Sequence, residues 1–178
     1  MAEAFSNKLT RAAGIVSTSS SGAVGILTNL ITGISTVDVA VNDLVDNSQF
    51  LTGTKVSSVG ASQIVCDRDS TNTAAVTDQS VKFLGPTTAY TSTGTKSILV
   101  GGTFANNTGN SVNLTVQVFD NSASSEVGLA AKIPVPHGSS FVISDTGKTV
   151  LESSDEIRIY CDTANAIDAT LSVLTGVN

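Results

Sequence analysis

Ser111-Val112-Asn113-Leu114-Thr115-Val116-Gln117-Val118-Phe119-Asp120 decides the fold class. Val112, Leu114, Val116 and Val118 point to one side of an extended chain, and Asn113, Thr115 and Gln117 point to the other. The same alternation returns twice. Ile157, Ile159 and Cys161 oppose Arg158 and Tyr160, and Ala169, Leu171 and Val173 oppose Thr170 and Ser172. One dry face and one wet face per strand predict an all-β, two-sheet antiparallel sandwich. Seven strands are expected, over 96–105, 111–120, 126–134, 139–143, 148–151, 156–162 and 166–174, in a Greek-key or jelly-roll-like arrangement. Turns at Asn106–Asn110, at Pro136-His137-Gly138 and at Asp145–Gly147 separate them.

Upstream, short apolar pieces alternate with Gly, Ser, Thr, Asn and Asp. Strands are expected over Val24–Ile31 (bent after Gly25), Val37–Val41, Asp43–Val45, Thr54–Val59, Gln63–Asp67 and Ser80–Leu84, with a polar loop over Asp67–Asp78. Such close spacing suits a small β-barrel or sandwich. Gly85-Pro86-Thr87-Thr88 reads as its boundary. The organisation expected is an N-terminal arm over 1–18, a small β module over 19–84 and the β-sandwich over 85–178. Residues 14–22 read as a connection that leads from the arm into the first module. Phe5, Leu9 and Ala12–Ala13 lie at helical spacing, with Ser6 as a cap and Gly14 as a stop. Two turns of helix are too short to be stable alone. The arm therefore docks, either on its own domain or on a neighbouring subunit. In the second case Phe5, Leu9 and Arg11 are the assembly residues.

Composition bounds the function. The chain has 178 residues, is 40% hydrophobic and only 13% charged, and Ser and Thr make up about a quarter of it. Disordered chains are low in hydrophobicity and high in charge, which is not this pattern. A neutral hydroxyl-rich surface packs against copies of itself or a partner with little stripping of water from charges. It also suits a soluble β domain with hydroxyls on its outer strand faces. The net charge is −6, and the nine basic residues are scattered. Nucleic acid and anionic membrane partners are not expected, since both need clustered Lys and Arg. No apolar run reaches 18 residues, and Met1–Ala13 lacks the apolar core of a secretory signal. Synthesis in a cytoplasm is expected. Cys66 and Cys161 each share a strand face with an isoleucine and read as buried free thiols.

Reactive constellations are weak. His137, the one histidine, lies between Pro136 and Gly138 in a turn and has no nucleophile paired with it. Glu152, Asp155 and Glu156 crowd one turn instead of facing each other across a cleft, so a solvated acidic turn is expected. Asp67-Arg68-Asp69-Ser70-Thr71-Asn72 has oxygen ligands at alternate positions but lacks the glycine and the distal Glu of a calcium loop. Gly101-Gly102 has no following helix or Lys-Ser/Thr pair and reads as a bulge or a close approach of backbones. No catalytic, cofactor-binding or metal-binding residue is expected.

Two sets of residues carry a family resemblance. Asn42-Asp43-Leu44-Val45, Gly53-Thr54-Lys55-Val56 and Gln63-Ile64-Val65-Cys66 resemble a short β module of phage head, fibre and tail proteins. Asp43 replaces the Gly usual before Leu-Val, and the Pro common before Gly-Thr is missing. Phe5–Arg11, Ile133-Pro134-Val135-Pro136-His137-Gly138, Val150–Ile157 and Leu171–Leu174 resemble small virion structural proteins of tailed, marine and cyanophage-like bacteriophages. In that family the sandwich follows the arm almost directly, so the first module reads here as an insert. The resemblance implies a non-enzymatic virion component, a head decoration or a neck or tail accessory. Its partners are copies of itself and other virion proteins, and it has no cofactor. A carbohydrate- or host-surface-binding module of a fibre is the alternative. That reading needs exposed aromatic rings, which Tyr90 and Tyr160 are placed to test.

Overall fold

The computed structural model describes residues 3–94 and 96–177, the side chains of 145–147 excepted. Met1 and Ala2 of the expected arm, and Thr95 and Asn178, lie outside them. The described residues form fourteen strands: β1 (Ala4–Ala13), β2 (Ile15–Val24), β3 (Leu30–Thr32), β4 (Leu44–Asp46), β5 (Val56–Val59), β6 (Gln63–Cys66), β7 (Val76–Gly85), β8 (Thr87–Thr91), β9 (Lys96–Asn106), β10 (Val112–Asp120), β11 (Ser125–Val135), β12 (Ser140–Leu151), β13 (Glu156–Cys161) and β14 (Ile167–Val177). The chain divides into two compact units, Met1–Gly14 with Pro86–Asn178, and Ile15–Gly85.

The first unit is a sandwich of two four-stranded antiparallel sheets, ordered β1-β14-β9-β12 and β11-β10-β13-β8. Counted one to eight along the chain within this unit, the sheets read 1-8-3-6 and 5-4-7-2, which is the jelly-roll order. The alternating residues make the core. Leu114, Val116, Ile157 and Ile159 of one sheet pack against Leu99, Phe104, Leu171 and Val173 of the other. The Phe104 and Phe141 rings lie 6.3 Å apart. Gly101-Gly102 lies where β9 bulges between Leu99 and Gly101, and a Cβ on Gly102 would come 2.7 Å from Leu171 Cδ2. Close packing, not phosphate, explains the pair.

The N-terminus departs from expectation. It is not a helical arm but β1, paired along its length with β14 from Ala4 opposite Thr175 to Ala13 opposite Ile167. A spacing of four, such as Phe5 to Leu9, satisfies period two as well as period 3.6, and the backbone partner on β14 decides between them. Residues 14–22 are not a connection either, since β2 begins at Ile15 and pairs with β7. Thr87–Thr91 at the expected boundary is β8, paired with β13. The two strands expected over 139–143 and 148–151 are one, β12, whose register breaks between Ser144 and Thr149.

The second unit is one six-stranded sheet, β4-β7-β2-β3-β6-β5, around Val24, Ile31, Phe50, Ile64, Val81 and Phe83. Its edges meet at one isolated bridge, Leu44 with Lys55, and no ladder closes it into a barrel. Residues 37–41 form turns, not a strand, with Asp38 at φ 59° and Asn42 at φ 74°. Asp and Asn tolerate that left-handed region, so apolar alternation here comes from successive turns. The strand expected over Val24–Ile31 is broken by a turn in which Leu27 has φ 44°.

Asp43, the departure from the phage-module pattern, closes one of these turns. Its Oδ2 accepts the Ala40 N–H at 2.8 Å. Burial raises its pKa above the ordinary 3.8, and the Ala40 hydrogen bond opposes that in part. Between 3.8 and the raised value the native chain keeps a proton that the unfolded chain has lost, so native stability falls as pH rises through that window and then levels. Asp43→Asn removes this dependence. Urea unfolding followed by far-UV circular dichroism is expected to show the variant gaining on the native chain as pH rises from 3.8. A constant difference between the two overturns the assignment.

Candidate functional site

The outer face of the β1-β14-β9-β12 sheet is the most distinctive surface of the sandwich. Register aligns it into rows that cross all four strands. Phe5 lies opposite Leu174, Leu174 opposite Ile98, and Ile98 opposite Val150. The next row is Asn7, Ser172, Gly101 and Ser144, and the third is Leu9, Thr170, Thr103 and Val142. None of these side chains ionises. Phe5 is 72% exposed, Leu9 76%, and Val142 and Val150 52% each. The large first row is a ridge, and the small second row beside it is a trough. A depression of about 200 Å³, lined by Phe5, Ser6, Asn7 and Ser172, opens at its β1 end.

Charges flank the rows: Lys148 is exposed on β12 between the Val150 and Ser144 rows, and others lie at the ends. Asp168 accepts the Ala12 N–H at 2.7 Å, and Lys96 lies 3.6 Å from Glu152. Of the expected assembly residues, Phe5 and Leu9 stand on the face because they share the outward side of β1. Arg11 is exposed on the same strand, at the end where the register with β14 shifts. Leu174, Ile98 and Val150 are the partners that sequence reasoning missed.

The edges of the sandwich are blunted while this face is open. β1 shifts register between Thr10 and Ala13, β12 between Ser144 and Thr149, β8 at Ile157/Arg158 of its partner, and β11 twice along β10. Lys8 turns inward to lie 5.8 Å from the Tyr90 ring centre. Bulges and an inward charge are the usual devices that stop another strand from adding to an edge.

The opposite sheet carries a buried polar cluster. Arg158 Nη1 donates to Glu126 Oε1 at 2.5 Å and its Nε donates to Glu156 Oε2 at 2.7 Å. Its guanidinium lies 3.7 Å from the Phe119 ring centre, and the Tyr160 hydroxyl donates to Glu126 at 3.2 Å. Burial disfavours the charged Arg158, but hydrogen bonds to Glu156 and Glu126 outweigh it and raise its pKa. Burial, with the negative Glu126 adding, pushes the Tyr160 hydroxyl well above its usual value. Each charge faces its opposite, so the cluster is a structural clamp and presents no free base or nucleophile.

The three crowded carboxylates separate. Glu152 turns to Lys96 and Glu156 to Arg158. Asp155 is buried instead of solvated, and accepts the backbone N–H groups of Asn121 at 3.0 Å and Glu152 at 2.8 Å. His137 is exposed, with Nδ1 2.6 Å from the Thr108 carbonyl oxygen. In the 67–72 loop, Asp67 accepts the Lys55 N–H, while Ser70 and Asn72 are buried against backbone. Among the described residues no three acidic, His or Cys side chains converge as metal ligands. A depression of about 390 Å³ in the second unit is lined by apolar and threonine side chains with no charged group.

Cys66 and Cys161 are free and buried. Burial, with the neighbouring Asp67 adding, pushes the Cys66 thiol up to about 12. A native chain at pH 8 is therefore expected to leave an aromatic disulfide reagent unreacted, and to react once denatured. Rapid native reaction at Cys66 overturns this.

Tyr90 and Tyr160 are both buried, so neither presents a ring to a ligand. No protein-family model, no curated protein and no solved structure matches the chain, so any reading of what it does stands on the face and its register.

Proposed function

We propose that the chain is a non-enzymatic structural protein that acts by assembly, as a head decoration or a neck or tail accessory of a tailed-phage particle. The neutral rows of this face carry the reading. On a chain of net charge −6, three rows of one sheet hold no ionisable side chain, and Lys148, exposed on β12 between the first two, is the charge beside them. Close contact along these rows strips little charge of water, whereas elsewhere like charges oppose the approach of copies. The jelly-roll order adds a fold-level analogy, since capsid and lectin domains both use it. The fibre alternative, binding sugar, needs an exposed stacking ring; both tyrosines are buried, and the exposed ring is that of Phe5, on the face assigned to assembly.

The test is quantitative mass spectrometry of purified particles from the genome that encodes the chain. A copy number on the order of hundreds means a shell role, and a single ring's worth means neck or tail. Absence from the particles, or a gene neighbourhood without portal, sheath or capsid genes, overturns the proposal.

A further inference from the structure

We infer that residues 4–10 of β1 are an exchangeable arm, and that its partner is β14 of a second copy of this chain, paired in the same register as in its own sandwich. This deepens the assembly reading and rests on it. Three observations carry it.

The first is that β1 is an inverted strand. Phe5, Asn7 and Leu9 are exposed, while Ser6, Lys8 and Thr10 take the inward side. Of the whole strand only Ala13 belongs to the buried core. Thr10 Oγ1 donates to the Ala89 carbonyl at 3.3 Å, and Ser6 Oγ is buried without a partner. Residues 4–10 are therefore held chiefly by their ladder with β14, from Ala4 opposite Thr175 to Thr10 opposite Ala169. Lifting them off takes no large apolar side chain out of the core and returns Ser6 and Lys8 to water. A second copy supplies the same main-chain bonds.

The second is a hinge. The register shifts between Thr10 and Ala13, and within that shift Ala12 has φ 56°. Alanine is strained in the left-handed region. Beyond it the chain is fixed. Ala12 N–H donates to Asp168 Oδ1 at 2.7 Å, and the carbonyls of Ala13 and Gly14 accept the N–H groups of Ala166 and Asn165. An arm that runs straight on from Ala12 relieves the strain and leaves its own β14. Its seven residues, at about 3.3 Å each, reach about 23 Å.

The third is the edge that the arm vacates. The outer edges of the sandwich are blunted by register shifts, so strands do not add there. The vacated edge of β14 is fitted to β1, with Ser172 Oγ donating to Asn7 Oδ1 and Thr175 Oγ1 donating to the Ala4 carbonyl, each at 3.2 Å. A copy of this chain carries the matching strand, and exchange of identical elements is a low-cost route to a dimer.

The balance is set by the hinge. A lifted arm meets its own β14 at an effective concentration on the order of millimolar, which is the dissociation constant of a strain-free exchange. Relief of two left-handed alanines, at about tenfold each, brings it to about 10 µM.

The test is the full chain as Asn7→Cys/Ser172→Cys, two residues that lie opposite each other on β1 and β14. At about 100 µM it is oxidised while folded, quenched with iodoacetamide and run on a denaturing gel without reductant. Most of the protein is expected as a disulfide-linked dimer, with Asn7→Cys alone largely monomeric. Bonds that close only within single chains overturn the inference. Sedimentation equilibrium without engineered cysteines is the second measurement and decides the matter if no disulfide forms. Ala12→Gly, which removes the strain, is expected to weaken the dimer about a hundredfold, and Ala12→Val to tighten it about tenfold.

A native monomer at about 100 µM overturns the inference, and so does a dimer that neither hinge variant shifts. A chain that never exchanges but is abundant in purified particles overturns this inference and leaves the assembly reading standing. An exchanged dimer absent from particles does the reverse.

Discussion

Gly14→Ala is expected to lower the stability of the sandwich by about 4 kcal/mol, at the top of the range for single substitutions. Gly14 joins β1 to the second unit with φ at +124°, a region that residues with a side chain rarely adopt. A Cβ there collides with the Thr163 carbonyl oxygen and lies 3.2 Å from Asn165 N and 3.3 Å from Cys161 Cβ. The neighbours have no room to yield. Asn165 N–H donates to the Gly14 carbonyl at 3.0 Å and Ala166 N–H donates to that of Ala13 at 2.9 Å. Gly14 N–H itself donates to Thr87 Oγ1 at 3.2 Å. The added methyl breaks this lattice of backbone bonds or strains φ, and either costs several kcal/mol.

The readout is selective, because the chain has no Trp and both its tyrosines lie in the sandwich. Tyrosine fluorescence in urea is expected to show the midpoint falling by about 2 M, for a slope of about 2 kcal/mol per M. Gly128→Ala, where a Cβ meets open space, is the control and is expected within about 0.5 kcal/mol of the native chain. A Gly14→Ala chain within about 1 kcal/mol of the native one sinks the argument.

The alternation of β10, β13 and β14 was readable because both faces of each strand are in sharp contrast. One face fills the core, and the other is Thr, Asn, Ser, Arg or Gln. β1 was not, because Phe5 and Leu9 fit two periods at once and only pairing with β14 separates them. β8 hides behind Pro86 and a threonine run that reads equally as linker. Residues 37–41 show the opposite error, an alternation produced by turns. The candidate face was half visible. Phe5 and Leu9 stand out as apolar residues near a terminus, but Leu174, Ile98 and Val150 each look like ordinary strand residues. They become a row only because β1, β14, β9 and β12, scattered through the chain, are hydrogen-bonded neighbours. Local sequence holds periodicity, whereas register between distant strands is a property of the packed sheet.

Register also makes the clamp of Glu126, Arg158 and Tyr160, whose members come from β11 and β13 on either side of β10. Glu126→Ala is expected to destabilise the sandwich by about 3 kcal/mol, because breaking a buried pair from one side leaves the other charge uncompensated. The Glu126 side chain is 3% exposed and that of Arg158 16%, so solvent replaces little of the lost contact. The fully buried Tyr160 hydroxyl also loses the carboxylate it donates to. Arg158 keeps Glu156 and the Phe119 ring, which holds the loss below the upper end for buried pairs. Glu126→Gln retains an oxygen for Tyr160 but no charge for Arg158, and about half the loss is expected. In Glu126→Leu/Arg158→Met both charges leave together, so the double variant is expected to be more stable than Glu126→Ala. Urea unfolding followed by tyrosine fluorescence measures all three, and Tyr160 itself reports on the site. Equal losses in the Ala and Gln variants would mean that the charge on Glu126 does all the work. A double variant no better than Glu126→Ala would mean that packing volume, not an orphaned arginine, sets the cost.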